Sequence, residues 1–328
     1  MKLKYFFSLM LPVFLCACED EDKLTPRSSD ASSISRFEFP QGNNSWDRDL
    51  EEIANTFKTV PIYTAFDSLD LNQRWTGAYT ISLFGENLSD EYADFYTYFF
   101  KNQVFAFLKP ELMMGVLPNY IYLVDDLRQT GSWTAGYAPI ACLWSGLDYW
   151  AFSFRAKEEN LAYLDYGNGF IYKPYKSYDL PKTPWEYKAR RTVILQNIIK
   201  KTVEKGKIAI PTEFETGGEF DYSKSFNVNN VNAENYFIKL GYVGQMIASG
   251  YNFSNLNATT KVTSQTNFIS YLQLGLRYTR DSVLIKYPQE KYPLIVKYYD
   301  FTMKYMKDKY NWDITLMAEL PVAIKEDE

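Results

Sequence analysis

Aromatic side chains constrain the fold of this chain more than any other feature of its sequence. They comprise 28 Tyr, 23 Phe and 7 Trp among 328 residues. Within segment 90–108 the rings recur at Tyr92, Phe95, Tyr96, Phe99 and Phe100. Residues three and four positions apart share one face of a helix, so this segment predicts a helix with an aromatic face. The chain has more aromatic rings than a core of alternating buried residues needs. We therefore expect many rings at the surface, each with one polar edge.

The remaining chain predicts a mixture of helices and strands. Helices are predicted over residues 46–57, 184–204, 233–248, 265–280 and 291–309. Thr183, Pro184 and Glu186 form the capping box and first-turn proline that begin the second of these helices. Segment 120–124 predicts a central strand, and the alternating segment 148–154 predicts an outer strand. With no internal repeat and no dividing linker, the pattern predicts one α+β domain with a small sheet and a mostly helical C-terminal half.

The chain contains no histidine. This absence excludes a Ser-His-Asp triad, a Cys-His pair, an HExxH zinc site and an imidazole proton shuttle. Any catalysis would therefore use carboxylates, Lys, Tyr or Ser. The formal net charge of −5 argues against sequence-independent binding to the phosphates of nucleic acids, and no nucleic acid partner is expected.

The N-terminus has the pattern of a bacterial lipoprotein signal peptide. Two lysines precede an apolar run over residues 5–17, which is too short to span a bilayer. The run ends in Leu-Cys-Ala-Cys, which resembles a lipobox and predicts that Cys18 is lipidated after cleavage. The acidic residues 19–22 resemble the export signal that sends Bacteroidetes lipoproteins to the outer face of the outer membrane. A plain signal peptide with an incidental cysteine, and an ordinary solvated linker, are the respective alternatives.

Three segments follow from this pattern. Residues 1–17 form the signal peptide, residues 18–35 form an acidic flexible tether with almost no apolar side chains, and residues 36–328 form the globular domain. Only Cys142 then remains as a thiol of the mature protein. Its neighbours are apolar, so we expect a buried and inert side chain rather than a nucleophile.

Two segments of the globular part, read with the acidic tether, carry a family resemblance. Segment 117–125 reads LPNYIYLVD, and segment 296–314 reads VKYYDFTMKYMKDKYNWDI. The chain is thereby similar to the zinc-binding metallopeptidase-like lipoproteins, or substrate import-associated zinc metallohydrolases, that occur beside SusC/SusD-type uptake systems of Bacteroidetes. The resemblance implies a zincin-like fold with HExxH on a long helix and a later acidic ligand. In that motif the histidines bind zinc and the glutamate acts as base on a zinc-bound water.

The sequence departs from this pattern at every catalytic position. If the motif is placed over residues 195–199, Leu195 and Ile199 take the two ligand positions and Gln196 takes the position of the base. The later acidic ligand falls near residues 266–270, which contain no carboxylate. We therefore expect a zincin-like scaffold without its zinc and without another cofactor, in which Leu195 and Ile199 are core residues.

Binding is the function that these exclusions leave. The resemblance implies a lipid-anchored, surface-exposed accessory protein of an outer-membrane nutrient uptake system. It would dock on the TonB-dependent SusC-like transporter or its SusD-like lipoprotein, or capture a glycan or peptide. The Pro- and Gly-containing segment 165–187 predicts a long surface excursion rich in aromatic residues. The candidate ligand contacts are Trp133, Tyr137, Trp144, Tyr172, Tyr175 and Trp185, with core packing as the alternative for each.

A histidine-free glycoside hydrolase with paired carboxylates is the alternative function. The candidate pairs are Asp125 with Asp126, Glu158 with Glu159, and Glu213 with Glu215. Successive residues on a strand point to opposite faces, so Asp125 and Asp126 are poorly placed to act together.

Overall fold

The structure is a computed structural model. It describes residues 37–73, 81–130, 137–140, 142–165, 167, 169–215, 218–246, 253–254 and 261–325. The predicted signal peptide, Cys18, the tether and Trp133 lie outside these residues and stay predictions. The chain divides into two units, Met1–Glu38 and Phe39–Glu328, and every element below belongs to the second.

The described residues form a mixed α+β structure, as the sequence predicts. The α-helices are α1 (Ser45–Phe57), α2 (Ser68–Leu71), α3 (Asp90–Phe99), α4 (Pro110–Met113), α5 (Pro184–Glu204), α6 (Ser264–Arg277), α7 (Arg280–Lys286) and α8 (Pro293–Tyr310). The strands are β1 (Val60–Ile62), β2 (Leu83–Glu86), β3 (Tyr120–Leu123), β4 (Asp125–Thr130), β5 (Tyr137–Pro139), β6 (Cys142–Ser145), β7 (Tyr149–Ser153), β8 (Leu164–Asp165), β9 (Ile171–Tyr172), β10 (Gln245–Met246) and β11 (Phe253–Ser254). Among the described helices, none is both long enough and apolar enough to cross a membrane.

The aromatic segment forms the predicted helix. Ser89 caps α3 by accepting a hydrogen bond from the backbone of Tyr92, and a π-helical turn, Phe100–Val104, continues the helix. Its rings enter the core, where Phe99 lies 4.6 Å from Phe154 and Phe100 lies 4.8 Å from Phe152, between ring centroids. The aromatic face of α3 therefore packs on the strand that contains Phe152.

The principal sheet has the strand order β1-β3-β7-β6. Strands β1, β3 and β7 run parallel, and β6 pairs antiparallel with β7. The prediction of a central strand over 120–124 is confirmed, because β3 lies between β1 and β7. The prediction of an outer strand over 148–154 is wrong, because β7 lies between β3 and β6 and all five of its residues are buried. Both faces of β7 are covered, so its alternating pattern does not indicate a solvent face.

A second sheet, β2-β4-β5, continues directly from the first. Strand β4 follows β3 after Val124, and Asp126 takes a left-handed backbone conformation with φ of 50°. The chain thus changes sheets at two buried acidic residues, Asp125 and Asp126.

Helix α5 is buried along much of its length. Its start is the predicted capping box, in which Thr183 and Glu186 each accept a hydrogen bond from the other's backbone. Between residues 187 and 199 most side chains are buried around the whole helix, which is typical of a helix enclosed by other elements. Helix α6, the edge strand β6 and the C-terminal 3-10 turn Ile314–Ala318 contact it. The thiol of Cys142 on β6 donates to the carbonyl of Arg190, and the prediction that this cysteine is buried is confirmed.

Arg191 joins α5 to the C-terminal segment. Its guanidinium donates to the backbone carbonyls of Met317, at 2.9 Å, and Glu319, and to the side-chain oxygen of Gln103, at 3.2 Å. Burial lowers the pKa of Arg191 to about 10, which keeps the side chain charged at neutral pH. A buried positive charge therefore lies within α5.

The predicted helix over 233–248 does not form across the part of it that the structure describes, residues 233–246. Its backbone N–H groups bond three residues back, as from Lys239 to Tyr236, or reach an earlier segment, as from Phe237 to the carbonyl of Asn227. Gly241 and Gly244 have φ of +81° and +85°, which a helix does not allow. The segment is a series of turns that ends in β10. The predicted helix over 265–280 is confirmed as α6, although it ends at Arg277, and α7 follows after Thr279.

Candidate functional site

The positions at which the family resemblance places a metal site lie in the core. Leu195 and Ile199 on α5 are 0% exposed, and Gln196 is 2% exposed. The segment 266–270 lies on α6, which packs against α5; there the side-chain amide of Asn267 donates to the hydroxyl of Tyr222. Leucine and isoleucine have no lone pair for a metal ion. The zinc that the family resemblance implies therefore does not fit these residues.

No other part of the described chain replaces this ligand set. Across the described residues, no three Cys, Asp or Glu side chains converge in an arrangement that could hold a metal ion. The thiol of Cys142 is buried, and its burial raises its pKa to about 12. A thiol of this kind is neither a nucleophile nor a metal ligand near neutral pH.

The predicted excursion between β7 and α5 forms a short hairpin and an open groove. Strands β8 and β9 pair antiparallel, and the backbone N–H of Gly167 donates to the carboxylate of Asp165 at 2.8 Å. Gly167 and Gly169 have φ of +73° and +83°, a conformation that glycine adopts without strain. The connection between the two strands therefore depends on these glycines.

The excursion is fixed to the rest of the domain at Tyr178. Its backbone pairs with that of Ala156, and its hydroxyl donates to the carbonyl of Ile140 at 3.0 Å. The guanidinium of Arg190 lies 5.3 Å from the centre of the Tyr178 ring. This tyrosine therefore anchors the excursion against the β-sheet and α5.

The groove beside the hairpin has a volume of about 660 Å³. Leu161 forms its buried floor, Tyr163, Ile171 and Tyr175 form apolar walls, and Lys173 stands at the rim. The ammonium of Lys173 lies 2.6 Å from the carboxylate of Glu158, which also lines the groove with Glu159 and Lys176. Tyr163 is 48% exposed and Ile171 is 53% exposed. The groove thus combines exposed flat apolar faces with a charged rim.

The predicted aromatic contacts have different positions. Tyr175 is half-buried and lines the groove, while Tyr172 is exposed on β9 but lies outside it. Trp185 is exposed at the start of α5, and Trp144 is half-buried on the edge strand β6. Tyr137 packs against Phe84 and the guanidinium of Arg128, so its ring is already engaged.

The apolar groove residues that sequence reasoning missed are Leu161, Tyr163 and Ile171. Leu161 and Tyr163 lie two positions apart, as do Ile171, Lys173 and Tyr175, and all five line the groove. Residues two apart on an extended chain share one face. This period-two pattern was the available signal, although nothing in the sequence indicated that the two stretches face each other.

The three candidate carboxylate pairs differ in their burial and in their hydrogen-bond partners. Asp125 accepts both hydrogen bonds from one nitrogen of Arg155 at 3.0 Å, and Asp126 accepts from the backbone of Lys157 at 2.9 Å. Both aspartates are buried among basic and amide groups of the protein. The other two candidate pairs differ in position. Glu213 and Glu215 are exposed beside a 3-10 turn, and Glu158 and Glu159 line the groove.

Comparisons with known proteins give one structural likeness. No protein-family model matches the chain, and no curated protein matches it. Among solved structures, the chain is similar to one described as a "putative zinc-binding metallo-peptidase" from Bacteroides caccae. The two are 12% identical, the match covers 84% of this chain and 89% of that chain, and the TM-score is 0.47.

Proposed function

We propose that this protein is a lipid-anchored, non-catalytic surface protein that captures a glycan in the groove of the excursion. The observation that carries the proposal is the groove itself. Its volume falls in the range of ligand sites, and exposed Tyr163 and half-buried Tyr175 offer ring faces beside polar rim groups. Sugars present apolar C–H faces and a hydroxyl periphery, which match aromatic walls and a charged rim.

The scaffold in this proposal is zincin-like and has lost its zinc. The sequence resemblance supports the first part of this statement. The second part is supported by Leu195 and Ile199, which occupy the ligand positions as fully buried hydrocarbon side chains. A scaffold of this kind supplies a rigid frame, and its binding residues lie elsewhere.

The lipid anchor and the outer-membrane location rest on the N-terminal sequence. Lipidation of Cys18 would attach the chain to the membrane, and the acidic tether would hold the domain away from it. The SusC/SusD-type uptake system as partner comes from the family resemblance. In this arrangement the protein concentrates a glycan near the transporter.

A specific feature favours docking on the transporter as a second candidate function. Phe170 is 59% exposed at the tip of the hairpin, next to exposed Ile171 and Tyr172. Adjacent large apolar side chains at a surface are typical of protein interfaces. Recovery of the transporter with the full-length protein from detergent-solubilised outer membrane, and its loss with Phe170→Ser, would support docking.

Glycan binding is tested with the full-length protein in detergent. We expect binding to oligosaccharides in a screen that also contains oligopeptides. Tyr163→Ala or Tyr175→Ala should lower the affinity about 10-fold because each removes an aromatic wall. Tyr172→Ala is the matched control, since this exposed tyrosine of the same hairpin lies outside the groove.

Three results would contradict the proposal. Preferential binding of peptides would show that the ligand is not a glycan. An equal loss of affinity in Tyr172→Ala would show that the groove is not the binding site. Hydrolysis of the bound glycan, abolished by Glu158→Gln or Glu159→Gln, would establish the carboxylate enzyme instead, because these two glutamates line the groove.

A further inference from the structure

A second cavity lies where α5, α6 and α7 meet, away from the residues of the groove. Its volume is about 380 Å³. Trp185 and Lys188 border it from the first turns of α5, Arg277 and Tyr278 from the end of α6, and Ser282 from α7. The cavity is of a size to hold a ring-sized group, and two of these five residues are cationic.

Lys188 is a half-buried cation without an acidic partner among the described residues. Within the described residues no ion pair links the ammonium of Lys188 to a carboxylate, and this ammonium lies 5.6 Å from the centre of the Trp185 ring. Burial lowers the pKa of Lys188, and the positive charges of Arg191 and Arg277 lower it further, while Glu319 opposes them. A half-buried ammonium in a positive environment is stabilised when an anion binds beside it.

Further cations lie close to the aromatic residues of the cavity, whose rings supply a flat surface. The guanidinium of Arg277 lies 5.0 Å from the centre of the Tyr278 ring, and the ammonium of Lys286 lies 5.8 Å from the same ring. Trp185 is 59% exposed, so much of its indole remains accessible beside Lys188. The cavity thus presents cations next to a largely exposed indole.

We propose that this cavity binds a uronic acid residue of a saccharide. The carboxylate would be held by Lys188 and Arg277 through charge-assisted hydrogen bonds, and the sugar ring would stack on Trp185. A flexible acidic peptide also carries carboxylates, but it has no ring to cover the exposed indole. The inference extends the proposed glycan capture by selecting acidic chains, and it rests on residues that the groove does not contain.

The test measures the affinity of the full-length protein in detergent for three probes: oligogalacturonate, a neutral oligogalactoside of equal length, and oligoglutamate. We expect oligogalacturonate to bind at least about 10-fold more tightly than either of the others. Lys188→Met should lower its affinity about 10-fold, because a hydrogen bond from a charged group is lost. Lys200→Met is the matched control, an exposed lysine on the same helix about 18 Å away.

A melting measurement separates this role from a structural one. Because Lys188 is a half-buried cation without an acidic partner in the described chain, Lys188→Met should leave the melting temperature of the ligand-free protein unchanged or raise it. A lower melting temperature, equal affinity for the neutral oligosaccharide, or tighter binding of oligoglutamate would each overturn the inference. Tyr163→Ala distinguishes the two sites. If glycan binding at the groove is lost in this variant, Lys188→Met should still lower the affinity for oligogalacturonate.

Discussion

Asp126 shows how one residue can determine a junction in the fold. Its carboxylate accepts hydrogen bonds from the backbone of Lys157, the side-chain amide of Asn160 and the guanidinium of Arg128. It is 1% exposed and has φ of 50°, a left-handed conformation that Asp tolerates better than most residues. Asp126 therefore lies where the chain turns from the first sheet into the second, and its carboxylate holds the segment after β7 against this turn.

Replacement of Asp126 should weaken the fold strongly. We expect Asp126→Ala to lower the free energy of unfolding by about 3 kcal/mol or more, because it removes three hydrogen bonds and leaves Arg128 largely buried without this partner. Asp179→Ala is the control, since its exposed carboxylate bonds Arg155 and should contribute less than about 1 kcal/mol. Urea unfolding measures both, and equal effects would contradict this role for Asp126.

Gly241 shows why a single element of the C-terminal half departs from its predicted form. With φ of +81° it stands inside the predicted helix 233–248, and a Cβ atom added there would lie 2.9 Å from the ring of Phe220 and 3.2 Å from Leu294. Phe220 is itself buried and lies 4.3 Å from Tyr298 between ring centroids. The turn is therefore stabilised by packing against distant residues, which overrides local helical preference.

A pair of glycine substitutions separates backbone strain from packing. Gly115→Ala should cost about 1 kcal/mol, because Gly115 has φ of +73° but no heavy atom within 4 Å of an added Cβ. Gly241→Ala should cost roughly 1–3 kcal/mol more, because the added methyl also collides with Phe220. Chemical denaturation gives both values; the packing argument fails if the two substitutions cost the same.

Buried tyrosines connect segments that are distant in the sequence through hydrogen bonds of their hydroxyl groups. The hydroxyl of Tyr96 donates to the carbonyl of Val124, that of Tyr271 to Gly241, and that of Tyr299 to Tyr278. Burial raises the pKa of each of these tyrosines above the ordinary value of 10.0. The expectation that many rings reach the surface is thus met only in part, because many phenol rings serve the core.

The protein should lose stability steeply at alkaline pH. Unfolded tyrosines ionise near pH 10, whereas the pKa of Tyr242 and Tyr298 in the folded protein is raised to about 12, mainly by burial. A pKa raised by folding gives stability that is complete below pH 10 and is lost as pH rises toward the folded value. Tyrosinate absorbance should therefore increase together with loss of helical circular dichroism. Full ionisation near pH 10 with native dichroism would contradict this.

Local signals predicted the helices better than the strand order. Helix α5 follows from Thr183, Pro184 and Glu186, whose capping and backbone effects act within a few residues. The internal position of β7 depends on β6 and β3, which its own sequence does not contain. Of the groove residues, Tyr175 was predicted as a candidate contact, while Tyr163 was not.

The excluded chemistry and the starts of several helices follow from the amino-acid sequence alone. Without histidine no HExxH site can form, and that conclusion requires no coordinates. Which rings are exposed and which charges meet depends on the folded chain: Lys188 and Arg277 line one cavity although they are distant in the sequence. The exposure and the electrostatic environment of a side chain are set by its neighbours, and packing brings these neighbours together from separate segments.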